Sequence, residues 1–204
     1  MTPERAARFE AVLDRRQHDL VVVLENITDP HNVMAILRSC DSVGVQDVYA
    51  VSTYEPWGRH FGSRSSSGAM KWVDVHRFES AMDCLHAVRE QLGPQGSLWA
   101  ADTDAGSTHA YDVPLIGPVA LVLGNERHGI SAPVRAACDG ALHLPQHGMA
   151  QSLNVSVAAA ILLYEAQRQR LAAGLYDAPR LPQASRKTLL AQWEERELWR
   201  DHTR

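Results

Sequence analysis

Several features that would place this chain in a special structural class are scarce or missing. The 204-residue sequence has only three cysteines, Cys40, Cys84 and Cys138, and none forms a CxxC pair. Neither a disulfide framework nor a thiolate zinc site is therefore indicated, and all three are expected to be buried thiols. The longest apolar run, residues 157–164, is much shorter than a membrane helix, and the N-terminus carries charges instead of an apolar signal core. We therefore expect a cytoplasmic protein.

Positive charge is also limited. The formal net charge is −4, which argues against binding nucleic acid through bulk basicity. Of the 20 basic residues only Lys71 and Lys187 are lysines, and arginines concentrate in two zones, residues 59–71 and 168–187. Arginine binds phosphate through planar, bidentate donors. These zones are either phosphate-binding surfaces or ordinary solvated faces.

Common cofactor motifs fail on inspection. Residues 124–129 have the glycine spacing of a phosphate loop, but Ile130 stands where the phosphate-binding lysine is required. No GxGxxG follows a predicted strand, which removes the main support for a nicotinamide-binding domain. His143 and His147 cannot share a helix face because Pro145 lies between them. We therefore expect no P-loop, no nicotinamide cofactor and no metal.

The remaining sequence is that of a globular α/β protein with one core, because 45% of its residues are hydrophobic and 22% are charged. Short aliphatic runs predict strands at residues 21–24, 45–51, 97–101, 119–123 and 141–144. Helical spacing predicts helices at residues 5–17, 33–43, 81–92, 131–137, 153–173 and 185–199. Residues 52–69 are predicted to form a surface loop. This alternation predicts a parallel sheet with a ligand site beyond the carboxyl ends of its strands.

Two predicted helices carry polar residues that need an explanation. The helix at residues 153–173 is apolar all round, so polar side chains at its entrance, including Ser152 and Asn154, either cap the helix or bind a ligand. Its apolar surface also suggests that a second subunit covers one face. Arg38 lies about 160° from the apolar stripe of the helix at residues 33–43 and points away from the core. Asn32 lies at the start of that helix, where it could bond the helix terminus.

Three segments together resemble the SPOUT methyltransferases of the SpoU/TrmH family, and within them the ribose methyltransferases that act on the D-loop of tRNA. They are residues 26–32 leading into Arg38, residues 123–129, and residues 149–156. Their order and spacing carry the resemblance, which extends over about residues 5–180. This coverage favours the tRNA enzymes over ribosomal-RNA relatives, which typically carry a separate N-terminal RNA-binding domain.

The resemblance implies an architecture that periodicity does not show. The parallel sheet flanked by helices would contain a C-terminal deep trefoil knot, with S-adenosylmethionine bound in it, and the protein would be a homodimer. Residues 1–18 would form an N-terminal helix that contributes to tRNA binding, residues 19–173 the knotted SPOUT domain, and residues 174–204 a C-terminal helical extension.

The resemblance also implies three sets of site residues. The catalytic set is Asn32, Arg38, Glu126, Ser152 and Asn154. Backbone groups that hold the cofactor belong to Ala101, Gly124, Leu144, Met149 and Leu153. RNA contacts are expected from Arg5, Arg8, His31, Arg168 and Arg170.

The implied activity is S-adenosylmethionine-dependent 2′-O-methylation of guanosine 18 in tRNA. Arg38 would stabilise the developing alkoxide electrostatically, because a guanidinium stays protonated and makes a poor base. Asn32 would orient Arg38 or the ribose, and Glu126 would hold the loops and Asn154. Two alternatives stay open at this point, ribose methylation of ribosomal RNA and a catalytically silent RNA-binding module.

Overall fold

The computed structural model describes residues 1–53, 71–103 and 106–201, with side chains described as far as residue 197. Six helices lie in these ranges: α1 (Pro3–Leu13), α2 (Pro30–Val43), α3 (Ala81–Leu92), α4 (Ala132–Ala137), α5 (Val155–Ala172) and α6 (Gln183–Asp201). Seven strands accompany them: β1 (Leu20–Glu25), β2 (Asp47–Val51), β3 (Asp74–Phe78), β4 (Ser97–Ala101), β5 (Thr108–His109), β6 (Val119–Leu123) and β7 (Gly140–His143).

The strands form one parallel sheet in the order β3-β2-β1-β6-β4-β7-β5. Its centre is the β1–β6 pair, where Val22 lies opposite Leu121, and every residue of both strands is buried. Aliphatic residues on both faces are typical of a parallel strand that is covered by helices on each side. The predicted α/β fold with a parallel sheet flanked by helices is confirmed.

The two faces of the sheet are covered by different helices. Leu20, Val22 and Leu24 of β1 point towards α2 and α5, whereas Val21 and Val23 pack with α3 and α4. This division follows from the alternation of side chains along a strand. Helix α5 therefore has its buried side on the sheet and α2, and its first turn lies at the carboxyl edge.

Helices α1 and α6 form a third cluster with residues near β3. Phe9, Trp72 and Trp193 pack ring against ring, with centroids 5.4–5.7 Å apart. Arg16 has no exposed surface and donates to the backbone oxygens of Val45 and Trp72. The C-terminal helix, expected as an appendage, thus shares a buried core with the N-terminal helix.

Helix α2 shows how local signals set the boundaries. Asp29 accepts a hydrogen bond from the backbone N–H of His31 and Pro30 occupies the first turn, so the helix begins earlier than its apolar pattern suggests. It ends at Gly44 with φ +85°, as predicted. A β-carbon at Gly44 would lie 2.6 Å from the carbonyl oxygen of Arg15, so only glycine fits this close crossing.

Two strands were not predicted. Strand β3 lies at one edge of the sheet and its residues are half-buried or exposed, so it lacks the continuous apolar run that marks the central strands. Strand β5 has only two residues and lies within the predicted loop after β4. Most of the loop predicted at residues 52–69 falls outside the described residues. The trefoil knot stays a prediction, because the strand order does not by itself define one.

The free cysteines differ in burial. Cys40 and Cys84 are buried as expected, but Cys138 is only half-buried. Burial raises the pKa of the Cys84 thiol to about 12 and that of Cys138 to about 11. In the described part of the chain, no helix is both long and apolar enough to cross a membrane.

Candidate active site

A cleft of about 580 Å³ opens at the carboxyl ends of β4, β6 and β7. Its walls are residues 101–103, 123–130, 142–144 and 152–155. These are the loops that leave three neighbouring parallel strands, together with the start of α5. The volume lies within the usual range for small-molecule sites, and the position is the one expected for a parallel sheet.

The loop after β6 is a narrow hairpin. Asn125 and Gly129 exchange two backbone hydrogen bonds of 3.0 and 2.9 Å. Asn125 Oδ1 also accepts from the backbone N–H groups of Arg127 and His128, at 2.9 and 3.1 Å. A β-carbon at Gly124 would lie 2.4 Å from the carbonyl carbon of Gly129, so a side chain there would force the hairpin open. The backbone of residues 125–129 is therefore held in one conformation.

Three side chains from separate segments form a hydrogen-bonded chain at this cleft. Asn32 Nδ2 donates to Glu126 Oε1 at 2.9 Å, and Asn154 Nδ2 donates to Asn32 Oδ1 at 3.1 Å. Asn154 Oδ1 accepts from the backbone N–H of Ser156 at 2.8 Å and caps α5. The three motif segments identified in the sequence thus meet at one point.

The direction of these bonds fixes the two amide groups. A carboxylate only accepts, so Asn32 must present its NH₂ to Glu126 and its oxygen to Asn154. Both side-chain bonds of Asn32 among the described residues go to these partners, and Glu126 reaches Asn154 through Asn32 instead of directly. Asn154 does cap its helix, which was one of the two roles left open for it.

The expected cofactor residues fall into two groups. Ala101, Gly124, Leu144 and Leu153 line the cleft. Met149 does not line it, and this residue is fully exposed. The cleft combines apolar side chains with the backbone of the hairpin after β6, a lining that suits a small organic ligand with polar groups.

Arg38 is the one member of the catalytic set that this chain does not bring to its own cleft. Glu126, Ser152 and Asn154 line the cleft, and Asn32 is bonded to two of them. Arg38 is exposed and does not line the cleft. It follows Asn32 on α2 by six residues, or about 9 Å along the helix axis.

The expected RNA contacts differ in accessibility. Arg8 and His31 are exposed. Arg168 is also exposed, and its guanidinium forms two bonds of 2.8 and 2.7 Å with Glu165 on the same helix. Arg5 is half-buried, with its guanidinium over the rings of Phe9 and Trp72.

The structure contradicts the expectation that Arg170 contacts RNA. Its side chain has no exposed surface and forms an ion pair of 2.7 Å with Asp19. Its five N–H groups donate to Asp19 Oδ1, to Gln17 Oε1 and to the backbone oxygens of Leu115, Gly117 and Asp19. Burial raises the pKa of Asp19, but the Arg170 and Arg180 guanidinium groups outweigh it and hold that pKa below its usual value. Arg170 is a structural residue.

Two residues that bond to the walls of the cleft were not found from the sequence. Arg135 on α4 forms an ion pair with Asp102. Asn26 adopts φ +55° and its backbone oxygen accepts a 2.7 Å hydrogen bond from Asn125 Nδ2. Asparagine is enriched in this left-handed conformation. An asparagine directly after a predicted strand could therefore have indicated the turn at this position.

The fold and the cleft define a parallel α/β protein with its ligand site among the loops after the central strands, and comparison specifies the family. The SpoU rRNA Methylase family model matches residues 19–164, and the chain belongs to this family. The tRNA (guanosine(18)-2′-O)-methyltransferase of Thermus thermophilus is 43% identical over 193 residues, covering 94% of this chain and 96% of that protein. The 23S rRNA (guanosine-2′-O-)-methyltransferase RlmB of Vibrio parahaemolyticus is 35% identical over 166 residues, covering 81% of this chain and 65% of that protein.

Solved structures agree with this assignment. The crystal structure of the Aquifex aeolicus TrmH/SpoU tRNA modifying enzyme superposes with a TM-score of 0.85 at 34% identity, covering 95% of this chain and 96% of that one. The SpoU methyltransferase AviRb from Streptomyces viridochromogenes, in complex with the cofactor AdoMet, gives a TM-score of 0.64 at 29% identity, covering 78% and 59%. The expected SPOUT fold and methyltransferase class are confirmed.

Proposed function

We propose that this protein transfers the methyl group of S-adenosylmethionine to the 2′-oxygen of guanosine 18 in the D-loop of tRNA. The observation that carries this proposal is the end-to-end similarity to enzymes named for that reaction. The similarity to the 23S rRNA enzyme leaves about a third of that protein unmatched. This difference in coverage favours tRNA over ribosomal RNA as the substrate.

The cleft supports an enzyme over a silent binding module. Asn32, Glu126 and Asn154 are all present and hydrogen-bonded to one another at the site. Their mutual bonds hold two amide dipoles and one carboxylate in fixed directions, which is the kind of preorganisation that catalysis requires. A module that only bound RNA would not need this arrangement at a small-molecule cleft.

S-adenosylmethionine, when bound, supplies a methyl group on a positively charged sulfur. The backbone at Gly124, Leu144 and Leu153 would hold the cofactor in the cleft, and Ser152 with Asn154 would shape the space beside the methyl group. Asn32 would orient the ribose, because its amide lies between Glu126 and Asn154. Arg38 would donate hydrogen bonds to the developing alkoxide and stabilise its charge.

We also propose that the protein is a homodimer. Exposed apolar side chains recur at the start and along one side of α5, where Met149, Leu153, Val157 and Tyr164 are 100%, 38%, 47% and 53% exposed. Val157 and Tyr164 are seven residues apart and lie on one side of the helix, and Met149 and Leu153 precede it. Leu153 lines the cleft, so a second copy covering this stripe would lie beside it, and we propose that this copy contributes its Arg38 there. Each active site would then contain residues from both protomers.

Shared active sites can be tested by subunit complementation. Arg38→Ala and Glu126→Ala are each expected to be inactive alone, because each removes a residue from every site. Unfolding and refolding them together forms heterodimers in which one site carries both substitutions and the other carries neither. Methylation would then recover to about a quarter of the wild-type rate, since half of the dimers would be mixed and each would have one intact site. No recovery would show that Arg38 and Glu126 act within one chain.

The reaction itself is tested by mass spectrometry of tRNA nucleosides after incubation with purified protein and S-adenosylmethionine. We expect 2′-O-methylguanosine in tRNA and none when guanosine 18 is replaced by its 2′-deoxy form. Ribosomal-RNA fragments serve as the competing substrate. Modification of those fragments alone would replace the proposal with the rRNA reaction, and RNA binding without turnover would indicate the silent module. A tRNA substrate also supports a cytoplasmic location.

A further inference from the structure

The rim of the cleft carries a cation that belongs to none of the expected site sets. Arg127 is exposed, lines the cleft and lies at the tip of the hairpin after β6. Within the described residues its guanidinium forms no hydrogen bond or ion pair. Most other arginines in those ranges are paired with a carboxylate, among them Arg16, Arg89 and Arg168.

The hairpin holds Arg127 in place. Its backbone N–H is bonded to Asn125 Oδ1, and the two backbone bonds between Asn125 and Gly129 close the loop around it. The preceding residue, Glu126, is fixed by its bond to Asn32. A charge on a preorganised backbone loses little conformational entropy when a ligand binds, which distinguishes Arg127 from an arginine on a loose loop.

The neighbouring carboxylates have hydrogen-bond or ion-pair partners other than Arg127. Asp102 forms its ion pair with Arg135, and Glu126 accepts the amide of Asn32. His128 follows Arg127, and the exposed His31 precedes Asn32 on the other side of the Glu126 bond. Among the described residues, the mouth of the cleft therefore carries a guanidinium without a carboxylate partner, and such a group is suited to binding an anion.

We propose that Arg127 binds the phosphodiester adjacent to the target ribose and so positions the RNA strand at the cleft. This inference rests on the proposed function. In RNA the 2′-oxygen lies on the carbon next to the one that carries the 3′-phosphodiester, so a phosphate enters the mouth with any ribose that is to be methylated. A guanidinium at the rim supplies the counter-charge and two parallel donors for it.

The test compares Arg127→Gln and Arg127→Lys with wild type in the full-length protein. Lys187→Gln, which removes an exposed cation on α6 that does not line the cleft, is the matched control. Binding of tRNA in the presence of S-adenosylhomocysteine is measured at several salt concentrations, and binding of S-adenosylmethionine is measured separately by calorimetry. Single-turnover methylation at saturating tRNA gives the rate of the chemical step.

For Arg127→Gln we expect tRNA binding about tenfold weaker, and a salt dependence reduced by about one phosphate contact. Cofactor affinity should stay within about twofold of wild type, since the residue contacts RNA. Arg127→Lys should keep the salt dependence, because it keeps the charge, and lose part of the affinity, because it lacks the planar fork.

Three outcomes would overturn the inference in a wild-type protein that methylates tRNA. An unchanged salt dependence in Arg127→Gln would show that Arg127 is an ordinary surface residue without a phosphate contact. A loss of cofactor binding with tRNA binding intact would assign it to the carboxylate of the cofactor. An equal change in Lys187→Gln would make the effect one of net charge. A wild-type protein that binds tRNA but does not methylate it would refute the proposed function instead.

Discussion

Two polar networks lie at opposite ends of α5 and serve different purposes. At the start of the helix, Asn154 joins Asn32 and Glu126 at an open cleft. Near its end, Arg170 and Asp19 form an ion pair with side chains that are 0% and 8% exposed. The first network leaves a carboxylate and a helix cap accessible to a ligand, whereas the second uses every donor of its guanidinium internally. The exposure of Glu126 and Asn154, against the burial of Arg170, separates the network that can meet a ligand from the one that cannot.

The difference follows from the cost of burying charge. Removing a guanidinium from water is costly unless its N–H groups are bonded and a carboxylate balances its charge, and Arg170 meets both conditions. Arg168 lies two residues earlier on the same helix, yet its side chain is 66% exposed. Helix α5 therefore carries an exposed arginine and a buried structural arginine only two residues apart.

The largest effect on stability is expected from substituting Arg170, the centre of the buried network. Arg170→Ala should lower the free energy of unfolding by about 3–5 kcal/mol, because it leaves Asp19 buried without its main partner. Arg168→Ala, the matched control on the same helix, should leave it nearly unchanged, because an exposed ion pair contributes little. Urea unfolding followed by circular dichroism measures both. Equal changes in the free energy of unfolding would show that the buried network near the end of α5 does not stabilise the fold more than a surface ion pair does.

If Arg170→Ala proves too unstable to purify, Arg170→Met with Asp19→Asn provides a second measurement. Removing both charges of the buried ion pair together should recover part of the lost stability. A double variant that is also too unstable to purify would contradict the assignment of the ion pair as the main source of the loss.

At the cleft, we expect a substitution to reduce activity strongly and stability only slightly. Asn32→Ala should reduce the rate of methyl transfer by about a hundredfold or more, because Glu126 and Asn154 lose the amide that aligns them. The free energy of unfolding should fall by only about 1 kcal/mol, the usual contribution of a hydrogen bond. Single-turnover kinetics and urea unfolding on the same preparation decide the point. A variant that loses stability in proportion to activity would make Asn32 a structural residue.

The smallest effect concerns an ion pair of intermediate exposure. His76 Nε2 lies 2.8 Å from Asp47 Oδ1, and this hydrogen bond, opposed by partial burial, raises the pKa of His76 above its usual value. Its contribution to stability is fully present below the pKa of the unfolded chain, about 6.5, and is lost as pH rises through the folded pKa. The urea midpoint should therefore fall slightly between about pH 5.5 and pH 8.5 in wild type, and this part of the fall should vanish in His76→Gln. An identical pH dependence in both proteins would exclude the pair as its source.

Much of the fold follows from local patterns. Residues 21–24 and 119–123 are aliphatic on both faces, which only a doubly covered parallel strand requires. Gly44 ended a helix both in the prediction and in the structure. Strand β3 escaped because an edge strand buries little and its polar residues give no continuous apolar run. Its order in the sheet depends on pairings between residues distant in sequence, which local patterns do not encode.

The site was only partly predictable for the same reason. The motif segments located Glu126, Ser152 and Asn154, and the structure brings them to one cleft with Asn32 bonded between two of them. The pattern did not distinguish Arg168 from Arg170, because the partners of Arg170 come from before β1 and before β6. Burial of an arginine is decided by what the rest of the chain places around it.

The length of α5 determines how the networks at its two ends are placed relative to each other. The helix has 18 residues and spans about 27 Å, with Asn154 anchored at one terminus and Arg170 locked near the other. Inserting or deleting a single residue between them would rotate one anchor by about 100° relative to the other, so both could not engage at once. The helix therefore sets both the distance and the relative rotation of its two networks. A homologue with an insertion or deletion at this point would have to form either the buried ion pair or the cleft network in another way.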